Sequence, residues 1–356
     1  MLYHFGSYIM LFFGPGRLLQ SYAVLISLAL YTGFIAAYVL LPRCYRFLPV
    51  DRGREFSVNA DAAKGKPTGS GFVFISIFIF VSALFAPLNF LQVIMLVLTW
   101  LSMLTGFLDD RSILSWGEYK KGSLDLLISL AASAVLYYLN PLTDTAGRVL
   151  FWLPFIAEPV GIAMPVYISI ATLLLWASIN TTNCTDGVDG LSSTLVLIAL
   201  ITMGVLFYFV LGHKDIAAYL LIPHLQDGAS WAIITFSLAG SLMGYLWHNA
   251  FPSKVLMGDA GSRALGFFIG VSVLVSGNPF LILATSSVIF LNGGMGLVKV
   301  ALLRFLKIRI FDSIRFPLHD HMRKNRNWSP TQILVKFMIL QVLVTIAVLG
   351  ILLKVR

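Results

Sequence analysis

Ten apolar runs, each near the length a bilayer demands, constrain this chain more than any other feature. They cover residues 18–41, 71–88, 91–108, 124–140, 165–180, 191–211, 229–248, 263–276, 279–303 and 333–355. A helix needs about 20 apolar residues to cross hydrocarbon, and within lipid every backbone polar group must be satisfied inside the protein. With 58% hydrophobic and 12% charged residues and a mean hydropathy of +0.87, the chain is not a soluble enzyme built on one large core. The expected fold is an all-α polytopic membrane protein of about ten transmembrane helices, forming one integral-membrane domain over residues 1–356. Residues 1–16 are apolar but carry no basic segment before the apolar run, so no cleavable signal peptide is expected.

The basic residues orient the runs. Connections after odd-numbered runs hold Arg43, Arg46, Arg52, Arg54, Lys64 and Lys66, then Arg111, Lys120 and Lys121, then Lys254, then a basic stretch from Arg304 to Arg326. Connections after even-numbered runs hold only Arg148 and Lys214. The positive-inside rule then puts the odd-to-even loops in the cytoplasm and both termini outside. The net charge of +9 reads as a topology signal, compatible with anionic lipid headgroups or an anionic substrate, and no nucleic-acid partner is expected. Cys44 and Cys184 both fall on the reducing side, which argues against a disulfide.

On the outer side, residues 147–154 and 161–167 read as short apolar strands of a small extracellular hairpin. Residues 304–315 alternate basic and apolar side chains, as an interfacial segment would. The glycines and lysines of residues 64–71 suit either a flexible turn or an approach to phosphate, without the spacing or strand of a nucleotide-binding loop. No internal repeat is visible, which weakens a transporter built from inverted repeats.

Acidic residues collect where the cytoplasmic ends of the runs fall. Asp109 and Asp110 close the third run, Asn180, Asn183, Asp186 and Asp189 follow the fifth, Asp259 precedes the eighth, and Asp320 lies between His319 and His321. Taken singly, each aspartate admits a helix cap or a solvated run end. Taken together, they form an acidic floor able to hold Mg²⁺ through oxygen ligands, and a metal so held neutralises charge as a phosphoanhydride breaks. His4, His213, His224 and His248 have no metal-ligand spacing and read as loop or interface polarity.

The segments 107–110, 180–191, 257–262 and 317–321 occur in this order across the ten runs, and the second has the pattern Asn-x-x-Asn-x-x-Asp-Gly-x-Asp-Gly-Leu. In combination they resemble the signatures of the polyprenyl-phosphate N-acetylhexosamine-1-phosphate transferases. Within that superfamily the chain is most similar to the phospho-N-acetylmuramoyl-pentapeptide translocases, over essentially its whole length. The resemblance implies that undecaprenyl phosphate attacks the β-phosphate of UDP-MurNAc-pentapeptide in a Mg²⁺-dependent step at the cytoplasmic face of a bacterial plasma membrane. UMP leaves and lipid I forms. It further implies a homodimer and sensitivity to uridine-based nucleoside inhibitors.

Carried over by motif, Asp259 is the implied metal ligand and Asp109 the base or organiser of the lipid phosphate. Asp110 and Asp186 line the same site, and His319 and His321 meet the diphosphate or order their loop. Asn180, Asn183, Gly187 and Asp189 lie toward the donor, with Lys64, Lys66, Thr68, Lys121 and Asp320 as further substrate-binding positions. The sequence departs from the family pattern at Asp320, which replaces the middle of three histidines, at Ile113 in place of a lysine, at Leu256 in place of an aromatic, and at Asn292 in place of an acid. Asp320 is expected to raise the pKa of its neighbouring histidines by stabilising their charged forms. Two other functions fit parts of the pattern. A related enzyme would take UDP-GlcNAc or another UDP-hexosamine, and an ion-coupled transporter would place its carboxylates near the bilayer midplane.

Overall fold

The computed structural model describes residues 2–12, 14–53, 64–114, 116–156 and 158–354. Arg54, one of the basic residues that orient the chain, lies outside them. In chain order the helices are α1 (Leu2–Phe12), α2 (Tyr22–Cys44), α3 (Gly71–Phe85), α4 (Phe90–Arg111), α5 (Glu118–Tyr138) and α6 (Met164–Thr185). They continue with α7 (Leu191–Val205), α8 (Lys214–Leu220), α9 (Gly228–Asn249), α10 (Gly258–Val275), α11 (Leu281–Ile289), α12 (Met295–Ala301), α13 (Leu318–Arg326) and α14 (Pro330–Lys354). Each of the ten apolar runs is helical. Eight helices among the described residues are long and apolar enough to cross a membrane. The second run forms the 15-residue α3, and the fourth, α5, is diluted by Glu118, Lys120, Lys121 and Asp125 in its first half.

Two helices begin five residues or more before the apolar pattern predicts. Helix α5 starts at Glu118 and α10 at Gly258, so Lys121 and Asp259 sit on helix rather than in loops. Their charges meet each other inside the protein, as shown below, which removes the need to end the helix in water. The local signals are otherwise ordinary. Asn89 and Gln92 form a reciprocal capping box at the start of α4, and Pro165 occupies the first turn of α6, where a missing N–H costs nothing.

The predicted hairpin is present as β1 (Val149–Phe151) antiparallel to β2 (Val160–Ile162), with Leu150 opposite Gly161. The ninth run departs from a simple helix. Between α11 and α12 the backbone widens into a π-helical turn, Phe290–Gly294, and a second π turn, Leu302–Leu306, follows α12. Such widened turns admit an extra residue and recur at functional sites; this one carries the buried Asn292 inward. The alternating segment after Leu306 forms no long helix; Lys307 turns left-handed and the chain runs irregularly to α13.

Helix α10 is the axis of the bundle, and every residue from Gly258 to Val275 is buried. It packs chiefly between α4 and α6, with α3 and α7 also against it. Glycines permit the approach. A Cβ at Gly106 would overlap the Asp259 carbonyl, and one at Gly71 would overlap the backbone of Gly261.

Candidate active site

The first residues to converge are those at the ends of α4 and α10. Asp110 accepts the backbone N–H groups of Asp259 and Ala260, one on each carboxylate oxygen, both at 3.0 Å. This anchors the amino end of α10, where unpaired N–H groups and the helix dipole favour an anion. Gly258 turns there with φ +67°, and a Cβ at that position would strike the Asp110 carboxylate. Asp110, expected to line the site, thus lies beside Asp259 with both oxygens serving the backbone that carries it.

Asp109 points the other way. It is 6% exposed, accepts the Trp116 backbone N–H at 2.7 Å, and pairs with the Lys121 ammonium. The same ammonium lies 2.9 Å from Asp259. Two carboxylates from motifs far apart in sequence therefore share one cation supplied by α5. Among the described residues no group of three or more His, Cys, Asp or Glu side chains gathers as a metal cage. What Asp109 and Asp259 offer a hard cation is a pair of oxygen donors, a set that phosphate oxygens and water could complete.

A second cluster forms around the fifth-run motif. Asp189 accepts the Ser253 backbone N–H at 3.0 Å; Lys66 lies 4.0 Å from the same carboxylate and donates to the Ser253 hydroxyl at 3.0 Å. Residues 67–71 run beside residues 256–257, with Leu256 N–H donating to Pro67 C=O and Gly71 N–H to Met257 C=O. Thr68 is buried in this strip and Lys64 is exposed. Asn183 donates to the Ser262 hydroxyl at 3.0 Å, while Asn180 turns back to the Trp176 carbonyl at 2.8 Å. Asp186 closes α6 as its C-cap.

The third cluster is the histidine loop. His319 is 2% exposed and packs so closely on Gly187 that a Cβ there would overlap its imidazole. The Asn292 carboxamide oxygen accepts both the His319 backbone N–H at 2.9 Å and the ring Nδ1 at 3.1 Å. Because that oxygen can only accept, the proton resides on Nδ1 and the lone pair on Nε2. Asp320 was expected to raise the histidine pKa. Its carboxylate instead stands 3.8 Å from His319 Nε2, outside hydrogen-bond range, and 4.0 Å from Arg315. Burial, with the Arg323 charge added, pushes the His319 pKa down to about 3, so the ring is neutral. Burial also raises the Asp320 carboxyl, against the pull of Arg315 and Arg323. His321 is half-buried, and its Nδ1 accepts the Arg315 backbone N–H at 3.3 Å. His213 and His248 each meet a backbone carbonyl, in keeping with interface polarity.

The sequence reading missed two residues that the structure draws in. Arg263 and Asp125 form a buried ion pair, each 2% exposed, one helical turn beyond Asp259 and Lys121. The signal was present as i,i+4 spacing on both helices, masked by the apolar residues around each charge.

Comparison with known proteins identifies the family. Residues 92–277 match the family model described as glycosyl transferase family 4. A Treponema pallidum (strain Nichols) protein named phospho-N-acetylmuramoyl-pentapeptide-transferase is 55% identical over 352 residues, 98% of this chain and 95% of its own length. Relatives of the same name from Campylobacter curvus (32% identical, 83% of each chain) and Wolinella succinogenes (30% identical, 92% of this chain and 94% of theirs) are also similar.

Proposed function

This chain belongs to glycosyl transferase family 4 and, within it, to the phospho-N-acetylmuramoyl-pentapeptide-transferases, and from that premise we propose that it moves phospho-MurNAc-pentapeptide from UDP-MurNAc-pentapeptide to undecaprenyl phosphate. The products are lipid I and UMP. An oxygen of the lipid phosphate attacks the β-phosphorus of the donor; the new P–O bond forms as the bond to the UMP phosphate oxygen breaks, and UMP leaves with the electron pair.

The observation that carries the chemistry is the meeting of Asp109, Lys121 and Asp259 at one point. Asp109 accepts the proton of a protonated lipid phosphate and orients its attacking oxygen. Lys121 presents positive charge to the donor phosphates, which gain charge density in the transition state. Asp259, with Asp109 beside it, would hold Mg²⁺, which supplies bridging and charge neutralisation at the diphosphate. Asp110 and Asp186 shape this end, and Asn180, Asn183, Gly187 and Asp189 face the donor nucleoside with Lys66. Neutral His319, its Nδ1–H held by Asn292, orders the loop that packs on Gly187, with His321, Thr68, Lys64 and Asp320 beside it.

The basic loops support a cytoplasmic site with both termini outside. The chain acts as a single membrane domain; the family resemblance supports a homodimer and competition by uridine-based nucleoside inhibitors. The test is UMP release by purified protein given undecaprenyl phosphate, Mg²⁺ and either UDP-MurNAc-pentapeptide or UDP-GlcNAc. Turnover with the first donor is expected; turnover with UDP-GlcNAc alone would move the chain to the related hexosamine enzymes.

A further inference from the structure

Helices α5 and α10 face each other through four charges. Lys121 and Asp125 are spaced i,i+4 on α5, and Asp259 and Arg263 are spaced i,i+4 on α10, so each pair shares one helix face. Lys121 meets Asp259 at 2.9 Å. One turn deeper, Arg263 Nε donates to the Asp125 carboxylate at 3.0 Å, and Arg263 Nη2 reaches both that carboxylate and the Lys121 backbone carbonyl, the latter at 3.4 Å. The deeper pair thus grips the very residue whose ammonium sits in the active site.

The signs alternate in opposite order on the two helices. A slip of one helical turn, about 5.4 Å, would set Lys121 against Arg263 or Asp125 against Asp259, both repulsive. Four charges therefore define one register. Direct packing between the two helices is slight, since α10 is covered chiefly by α4 and α6 while α5 leans mainly on α6, so the charges are the main side-chain link between them.

The arrangement is costly. Burying two charges carries a desolvation penalty that mutual attraction often fails to recover, and well-packed apolar substitutes are frequently as stable or more so. Arg263 Nη1 is buried without a hydrogen-bond partner among the described residues. A pair that is poor at stabilising but good at specifying register points to a role in placement.

We infer that Asp125 and Arg263 are positioning residues, which fix α5 on α10 so that the Lys121 ammonium is held at Asp109 and Asp259 for phosphoryl transfer. This rests on the transferase reading above, and wild-type turnover serves as the control that separates the two: an inactive wild type counts against the reading, not the pair.

Two experiments test it. The double variant Asp125→Leu with Arg263→Met removes both charges together. It should keep its melting temperature and its KM for the UDP donor while kcat falls by about tenfold or more, since misplacement on the scale of 1 Å can cost about 10²-fold. Arg263→Lys alone, which retains the pair, should recover most of that loss. In the milder Asp125→Asn, labelling of Lys121 by an amine-reactive reagent, read by mass spectrometry, should rise severalfold with Lys336 as an internal control. Wild-type kcat in the double variant, or unchanged Lys121 labelling in Asp125→Asn, overturns the inference. So does failure of the double variant to fold, because the pair would then be needed for the fold itself.

Discussion

The Lys121 ammonium and the Asp259 carboxylate meet at 2.9 Å, and the same ammonium pairs with Asp109. A protein-borne cation thus stands between the two carboxylates best placed to receive a divalent one. Lys121→Gln should lower kcat by about 10²-fold or more, the scale of losing one transition-state donor, yet bind Mn²⁺ more tightly, because the carboxylates lose their resident competitor. Electron paramagnetic resonance of free Mn²⁺ without substrate reads the second effect. Weaker Mn²⁺ binding would show that Lys121 supports the cation rather than competing with it.

Asp110 and Asp259 should separate cleanly on mutation. Both oxygens of Asp110 accept amides of α10, so Asp110→Ala leaves buried N–H groups unpaired at about 1–3 kcal/mol each and should lower the melting temperature along with activity. Asp110→Asn keeps one acceptor and should fall between. Asp259→Asn should abolish turnover at every Mg²⁺ concentration with the melting temperature held. Near-normal rates in Asp259→Asn would remove it from the metal site.

For Asp189 the expected effect is on donor affinity. Its carboxylate orders Ser253 and lies near Lys66, at the nucleoside end of the proposed site. Asp189→Ala should raise KM for the UDP donor and weaken competition by uridine-based inhibitors, with kcat changed less. A pure kcat effect would move Asp189 to the reacting phosphates.

His319 makes stability depend on pH with a definite sign. Its folded pKa, about 3, lies below the ordinary 6.5, so the unfolded chain takes up a proton first as pH falls. The stability present above 6.5 is then lost progressively toward 3. Asp320, raised in the fold by burial, acts in the opposite sense, so the His319 contribution is read over the interval in which its unfolded form gains the proton, from 6.5 downward toward 3. The melting temperature should drop across that interval, and His319→Gln should flatten the drop. An unaltered slope in His319→Gln would place the effect elsewhere. Gly187→Ala, forced against the imidazole, should cost activity at every pH.

Much of this could be read from residues alone. The apolar runs gave the helices, and the hairpin formed at Val149–Phe151, inside residues 147–154, and at Val160–Ile162, which only touches the start of 161–167 because α6 begins at Met164. The aspartate motifs pointed to the candidate site because a carboxylate at a run end is conspicuous against apolar neighbours. What stayed hidden depends on pairing across the fold. Asp125 and Arg263 are separated by 138 positions, and each alone reads as one stray charge in an apolar helix. The π turn that buries Asn292 leaves no trace in hydrophobic periodicity, since its neighbours are apolar on every side. The Asp320 expectation failed at His319 because burial outweighs a nearby carboxylate: Asp320 stands 3.8 Å from Nε2, yet burial and the Arg323 charge hold the ring neutral.

The complete enclosure of α10 has a mechanical consequence. Every residue of that helix is covered by protein, so Asp259 rides on an element that no lipid touches. Changes in bilayer thickness or lateral pressure load the outer helices, such as α2 and α14, whose apolar windows are only 28% and 22% buried. Those helices can tilt to match the lipid while the Asp259 carboxylate keeps its place. An enzyme whose acceptor is itself a lipid is thereby insulated from the membrane it feeds, and its chemical step should keep one rate across bilayers of different thickness.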